Sequence, residues 1–275
     1  MTDPASQSPP CGDESPGPNR TEAPPDQPAR RSRDPWAHRR AEPRTFAFIW
    51  TVYLFAATVS VYAVTVTSGV GGYDAIRPAA RMLLVLIAAG MFIVWPLVRV
   101  SQEPDQRPLV GPVLDLIVVL VPIQAIVWPQ YAWWLTGWPF GVVAATAAVL
   151  AAWAVVVASI VSMSHQARAA RQVSAPWCML IVMGLLVLCH VPMAAQAAFA
   201  SASGATGERG ELIRPLWMLS PIGGVLELTR DTSWSGQPAR ATPGHWRMIG
   251  LLGGVGLALW LGAVAARFRV GRAAA

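Results

Sequence analysis

The sequence predicts an all-α, polytopic membrane protein: six transmembrane helices preceded by a disordered N-terminal tail. Three observations predict it. Apolar residues make up 54% of the 275-residue chain and charged residues only 13%, about half the charged share of a soluble domain. The charges crowd into residues 1–44 and a few short islands, leaving long uncharged blocks. Six such blocks, at about 46–67, 81–98, 113–134, 140–163, 176–200 and 248–266, approach the ~20 residues with which a helix crosses ~30 Å of hydrocarbon. Helix is the element that satisfies every backbone polar group within its own segment, which a lipid environment demands.

Residues 1–44 hold ten of the 24 prolines and almost nothing apolar. Such a segment cannot bury enough surface to offset the entropy of ordering, so it reads as a disordered Pro/Arg-rich tail. It is also too long and too proline-rich for an ordinary cleaved signal peptide. Its first part is acidic (Asp3, Asp13, Glu14, Glu22, Asp26), and the part beside the first span is basic (Arg30, Arg31, Arg33, Arg39, Arg40, Arg44). The basic cluster reads first as a topology signal and second as a contact with anionic lipid.

Residues 45–270 form the transmembrane domain, and arginine orients it. With the N-terminus in the cytoplasm, that side carries the basic tail, Arg99, Arg107, Arg168, Arg171, Arg267, Arg269 and Arg272. The other side has Arg77 beside Asp74, and a 201–245 loop whose four arginines are matched by Glu208, Glu211, Glu227 and Asp231. This asymmetry places both termini in the cytoplasm of a multi-pass inner-membrane protein. The net charge of +6 therefore reads as topology and not as nucleic-acid binding. All 21 basic residues are arginine. The absence of lysine excludes a Walker A loop and lysine Schiff-base chemistry.

The connection between the third and fourth spans, YAWWLTGWPF (131–140), is a tight turn whose Tyr131, Trp133, Trp134 and Trp138 fit an interfacial aromatic belt. Within the outer loop, LWMLSPIGGVLEL (216–228) is apolar but broken by Ser220, Pro221, Gly223 and Gly224. It is too short to span, so it either re-enters the membrane or lies flat on the outer leaflet. In the sixth span Gly250, Gly254, Ala258, Gly262 and Ala266 recur every four residues. That spacing predicts a close helix–helix contact, within the chain or across a dimer, at which Gly254→Leu would disrupt packing.

Three intramembrane polar residues are candidates for function: Asp115, His190 and Gln124. Gly111-Pro112 precedes Asp115, and a helix starting at Pro112 puts the carboxylate in its first turn, where the helix dipole favours it. Arg99 and Arg107 are its expected partners. On this structural reading Asp115→Asn leaves insertion and transport intact; the second reading is an ion or proton relay. His190 reads as a neutral histidine bonded to a neighbouring helix, and Gln124 and Gln196 as interhelical hydrogen-bonding residues. Pro96, Pro122 and Pro192 are expected to kink their spans. Cys178 and Cys189, eleven residues apart, would lie roughly 16 Å apart on a helix, too far to bridge. With Cys11 they read as free thiols. No HExxH, GxSG or GxGD motif lies in a span, and only one span carries an acidic residue. The expectation is a non-enzyme without a cofactor or metal.

Three features together resemble the membrane (permease) subunit of an ATP-binding-cassette exporter of the six-helix type. They are the topology, with its longest outer loop between the fifth and sixth spans, and the connection SIVSMSHQARAARQVSAPW (159–177). The third is PLWMLSPIGGVLELTR (215–230) in the place of the family's re-entrant segment before the last helix. The resemblance covers 46–270 and implies an ATPase partner, a homo- or heterodimer, and substrate movement between the halves. One departure stands out: VSQEPDQRPLVG (100–111) is short where the family carries a longer coupling segment for its ATPase. The rival expectation is a membrane scaffold or assembly protein whose tail recruits a cytoplasmic partner.

Overall fold

The computed structural model describes residues 43–67, 73–102, 110–170, 173–202, 215–231 and 239–273. The expected disorder of the tail, and the places of Arg107 and Arg171, lie outside the described residues. All the described elements are helical: α1 (Pro43–Thr67), α2 (Tyr73–Ser101), α3 (Val110–Val127), α4 (Phe140–Ala169), α5 (Ala175–Leu188), α6 (Val191–Ala202), α7 (Pro215–Met218), α8 (Pro221–Leu228) and α9 (Pro243–Ala273). A short 3-10 turn, Trp128–Tyr131, extends α3. Six segments are long and apolar enough to cross a membrane: Arg44–Thr67, Ile76–Ser101, Gly111–Tyr131, Phe140–Ala169, Pro176–Ala198 and Pro243–Arg267.

The helices outrun the apolar blocks. α2 starts at Tyr73, ahead of the 81–98 block, and α9 starts at Pro243, ahead of 248–266. Charge ends a hydropathy window but does not end a helix, so Arg77, Arg81, His245 and Arg247 are all helical. The fifth span is two helices. Pro192 has no N–H to bond the Leu188 carbonyl, and the helix is interrupted at Cys189 and His190. Pro96 and Pro122 instead lie inside unbroken helices.

α2 and α4 form the centre, each with 61% of its most apolar stretch buried, against 17–28% for the other four spans. α1 packs on α2 and α3, α3 on α4, α5 on α2 and α4, and α9 along the length of α4. The outward faces of the peripheral helices are as apolar as the core: Phe48, Phe55, Leu180, Ile181, Val187, Leu251 and Leu261 are exposed. A soluble protein does not leave such a continuous apolar surface to water, whereas hydrocarbon solvates it. These are the features of an integral, multi-pass membrane protein.

Close approach depends on two particular glycines. A Cβ on Gly90 of α2 would run into the ring of Tyr53, whose hydroxyl donates to the Leu86 carbonyl at 2.6 Å. A Cβ on Gly256 of α9 would sit 3.1–3.3 Å from Val155 and Val156 of α4. The α3–α4 turn closes through Gly137, whose φ of 59° is the left-handed conformation that other residues rarely adopt. Its aromatic residues divide. Tyr131, Trp133 and Trp134 are exposed, but Trp138 is 1% exposed and belongs to the core rather than to a surface belt.

Candidate functional site

The polar side chains gather at the two ends of α2. At its C-terminal end Arg99 and Asp115 are each 3% exposed and form a buried ion pair through one guanidinium nitrogen and Oδ1. α3 begins at Val110, so Asp115 lies in its second turn rather than the first. A second Arg99 nitrogen donates to Gln102 Oε1 at 2.7 Å, and the guanidinium lies 4.8 Å from the centre of the Phe46 ring on α1. His165 Nε2 of α4 meets the Arg99 carbonyl at 3.1 Å. Arg168 of α4 donates to the carbonyls of Val100 and Gln102. Those are carbonyls that a helix C-terminus leaves without intrahelical partners, and a cation is also favoured there by the helix dipole. The cluster therefore ties the start of α1, the end of α2, the start of α3 and the end of α4 together.

The other end is built on α7 and α8. Ser220 caps α8, its Oγ accepting from the Gly223 N–H at 3.1 Å, and Pro221 takes the first helical position. A Cβ on Gly223 would collide with the Trp217 carbonyl and with Met193, and Gly224 packs on Val149 of α4. The 216–228 segment is thus folded back on itself and buried against α2 and α4. At its far end Arg81 of α2 donates to the Thr229 hydroxyl at 3.2 Å and to the Thr229 carbonyl. Arg81 also pairs with Asp231 at 3.3 Å, and Arg77 with the same carboxylate at 3.6 Å. Arg77 Nε donates to the Thr136 carbonyl of the α3–α4 turn at 2.9 Å. Glu227, 5% exposed, faces Arg230 at 3.4 Å.

His245 completes this end. It is 4% exposed, in the first turn of α9, and its Nδ1 accepts from the Thr242 N–H at 3.0 Å. Thr242, Pro243, Gly244 and His245 occupy the positions of a capping box, with histidine in place of the usual Glu or Gln. Burial works against a charge on the ring, an effect that Glu227 opposes and Arg230 reinforces.

The remaining sequence candidates are dispersed. Gln124 donates to the Ala147 carbonyl at 3.2 Å and so links α3 to α4. His190 bonds its own helix, Nδ1 to the Leu186 carbonyl at 3.0 Å, rather than a neighbour, and stands edge-on to Phe92 at 6.0 Å. Asp115 and His190 are not brought together. Gly250, Gly254, Ala258 and Gly262 are all exposed, and around the three glycines nothing lies within 4 Å of an added Cβ. The row therefore faces away from every other described helix. The close contact with α4 is made by Gly256 instead, and Ser159 and Gln166 donate to the Gly256 and Ala263 carbonyls, both at 3.2 Å. Cys178 is buried and Cys189 half-buried, both free thiols. Among the described residues no three His, Cys, Asp or Glu side chains converge to hold a metal.

Sequence reasoning missed Glu227, His245, Arg81 and Arg168 as parts of these clusters. Glu227 carried the same signal as Asp115, an acid in an apolar run. Thr242-Pro-Gly-His245 carried a helix-start signal in its N-cap and first-turn proline. No family model, curated protein or solved structure matches the chain.

Proposed function

We propose that this chain is a non-enzymatic subunit of a transport complex in the cytoplasmic membrane, resembling an ATP-binding-cassette exporter permease, with both termini in the cytoplasm. The observation that carries the reading is the α7–α8 pair. It lies immediately before the last span and is buried against the two central helices α2 and α4. A short helical element inserted there is what the resemblance implies for an exporter permease.

A second reading is favoured by the connection between α2 and α3. Gln102 is fixed by Arg99 and Arg168, and α3 has begun by Val110, so little chain is left to dock an ATPase. On that reading the protein is a membrane scaffold or assembly factor, recruiting its partner through the tail. The discriminating experiment is affinity purification of the full-length protein from its native membrane in mild detergent. A stoichiometric ATPase whose hydrolysis depends on this subunit supports the transport reading. Stoichiometric recovery of a non-ATPase cytoplasmic protein, lost on deleting residues 1–35, overturns it in favour of the scaffold.

A further inference from the structure

We propose that the first turn of α9 is a proton-operated latch, with His245 as the switch. Three features of its setting carry this. Nδ1 accepts the Thr242 N–H at 3.0 Å and lies 3.1 Å from the Thr242 hydroxyl, so the neutral ring carries its proton on Nε2. That Nε2 is buried and has no hydrogen-bond partner among the described residues. And the ring is only 4% exposed, so burial works first against its charged form, which Glu227 favours and Arg230 opposes.

A proton arriving at Nδ1 turns the acceptor into a donor. The Thr242 N–H then faces another N–H, the cap bond is lost, and Nδ1–H turns to the Thr242 hydroxyl oxygen as the acceptor within reach. Glu227 favours the resulting imidazolium, and Arg230 opposes it. Among the described side chains, the other charged groups at this end are Asp231, held by Arg77 and Arg81 of α2, and the exposed Arg240 and Arg247. α4 and α7, which also pack on α9, bring no titratable side chain to this end. Protonation therefore uncaps α9. It loosens the first turn of the last span, where α7 packs on α9, and the latch does not depend on the transport reading.

The test is hydrogen–deuterium exchange of the segment 239–250 in full-length protein held in nanodiscs. Wild type is compared with His245→Gln and His245→Ala at each pH, so intrinsic exchange cancels. Glutamine at this position keeps a capping-box acceptor but does not titrate. Burial moves the ring's change of charge to the acid side of the usual histidine interval, so between pH 8 and pH 4 wild type should go from matching His245→Gln to exchanging several-fold faster. His245→Ala should exchange fast throughout. Glu227→Gln removes the favouring carboxylate, so opening then requires more acid; this variant keeps the test decisive if a His245 variant does not fold. Equal exchange of wild type and His245→Gln at pH 4, or an opening unmoved by Glu227→Gln, overturns the latch.

Discussion

Asp115 lies 3% exposed against an equally buried Arg99, and this alters what its substitution should do. A carboxylate at the edge of a span can be neutralised cheaply, which is what the apolar run VLDLIVVLVP predicts. A carboxylate that neutralises a buried guanidinium cannot. Breaking a buried ion pair from one side costs about 3–5 kcal/mol, because the remaining charge is left uncompensated, whereas replacing both partners by apolar residues is often neutral. Asp115→Asn should therefore lower the midpoint of denaturant unfolding in detergent, and Arg99→Met combined with Asp115→Leu should recover most of the loss. Equal destabilisation by the single and the double change would show that the pair holds the α2–α3 corner by something other than charge balance. The presence of a stabilising arginine near Asp115 was legible from the sequence. Its depth was not, because burial at the end of a span depends on what α1 and α4 bring over it, here Phe46 and His165.

At the scale of elements, the six spans were legible and their faces were not. In water a helix announces its buried side by polarity; in lipid both sides are apolar, and that signal disappears. The α9 helix shows the consequence. Its conspicuous row, Gly250 to Gly262, faces outward, while Ile249, Leu252, Gly256 and Ala263 are buried. Gly254 and Gly256 are two residues apart, so they point about 200° apart round the helix. Gly256→Leu should therefore disrupt the α4–α9 contact, by roughly 1–3 kcal/mol of overpacking or more, and reduce folded yield. Gly254→Leu should behave like Val255→Leu and leave the yield unchanged. A loss with Gly254→Leu as large as with Gly256→Leu would mean that a second chain covers the outward row. The α8 helix makes the same point through its cap. The segment 216–228 left re-entry and flat adsorption open, and its α8 helix is buried against α2 and α4. Arg81 holds its C-terminal carbonyl end, and hydrogen bonds to a charged donor contribute about 1.5–3 kcal/mol each, less here because Arg81 is partly exposed. Arg81→Met should raise proteolytic cleavage within 215–231 while leaving the spans intact; unchanged cleavage would remove Arg81 as the tether.

For the whole molecule, the ion pairs and hydrogen bonds fix which connections share an end. Arg99, Asp115, His165 and Arg168 meet at one end, so the end of α2, the start of α3 and the end of α4 lie together. Arg77, Thr136, Thr229 and Asp231 meet at the other, so the α3–α4 turn and the end of α8 lie together there. α9 starts at that second end and runs along α4, so its far end, near Arg267, returns to the side of Arg99 and Arg168. Reporter fusions after residues 170 and 272 should consequently agree with each other and disagree with a fusion near residue 236. The arginine distribution adds the sign, with 170 and 272 cytoplasmic and 236 outside, because arginines in short loops are retained on the cytoplasmic side. These two statements fail separately. If all three fusions report the reverse sides, the bundle stands and only the orientation, with the exporter resemblance that depends on it, falls. If residues 170 and 236 report the same side, α9 and α4 cannot both span the membrane in the packing that Ser159 and Gln166 join, and the six-span architecture itself is overturned.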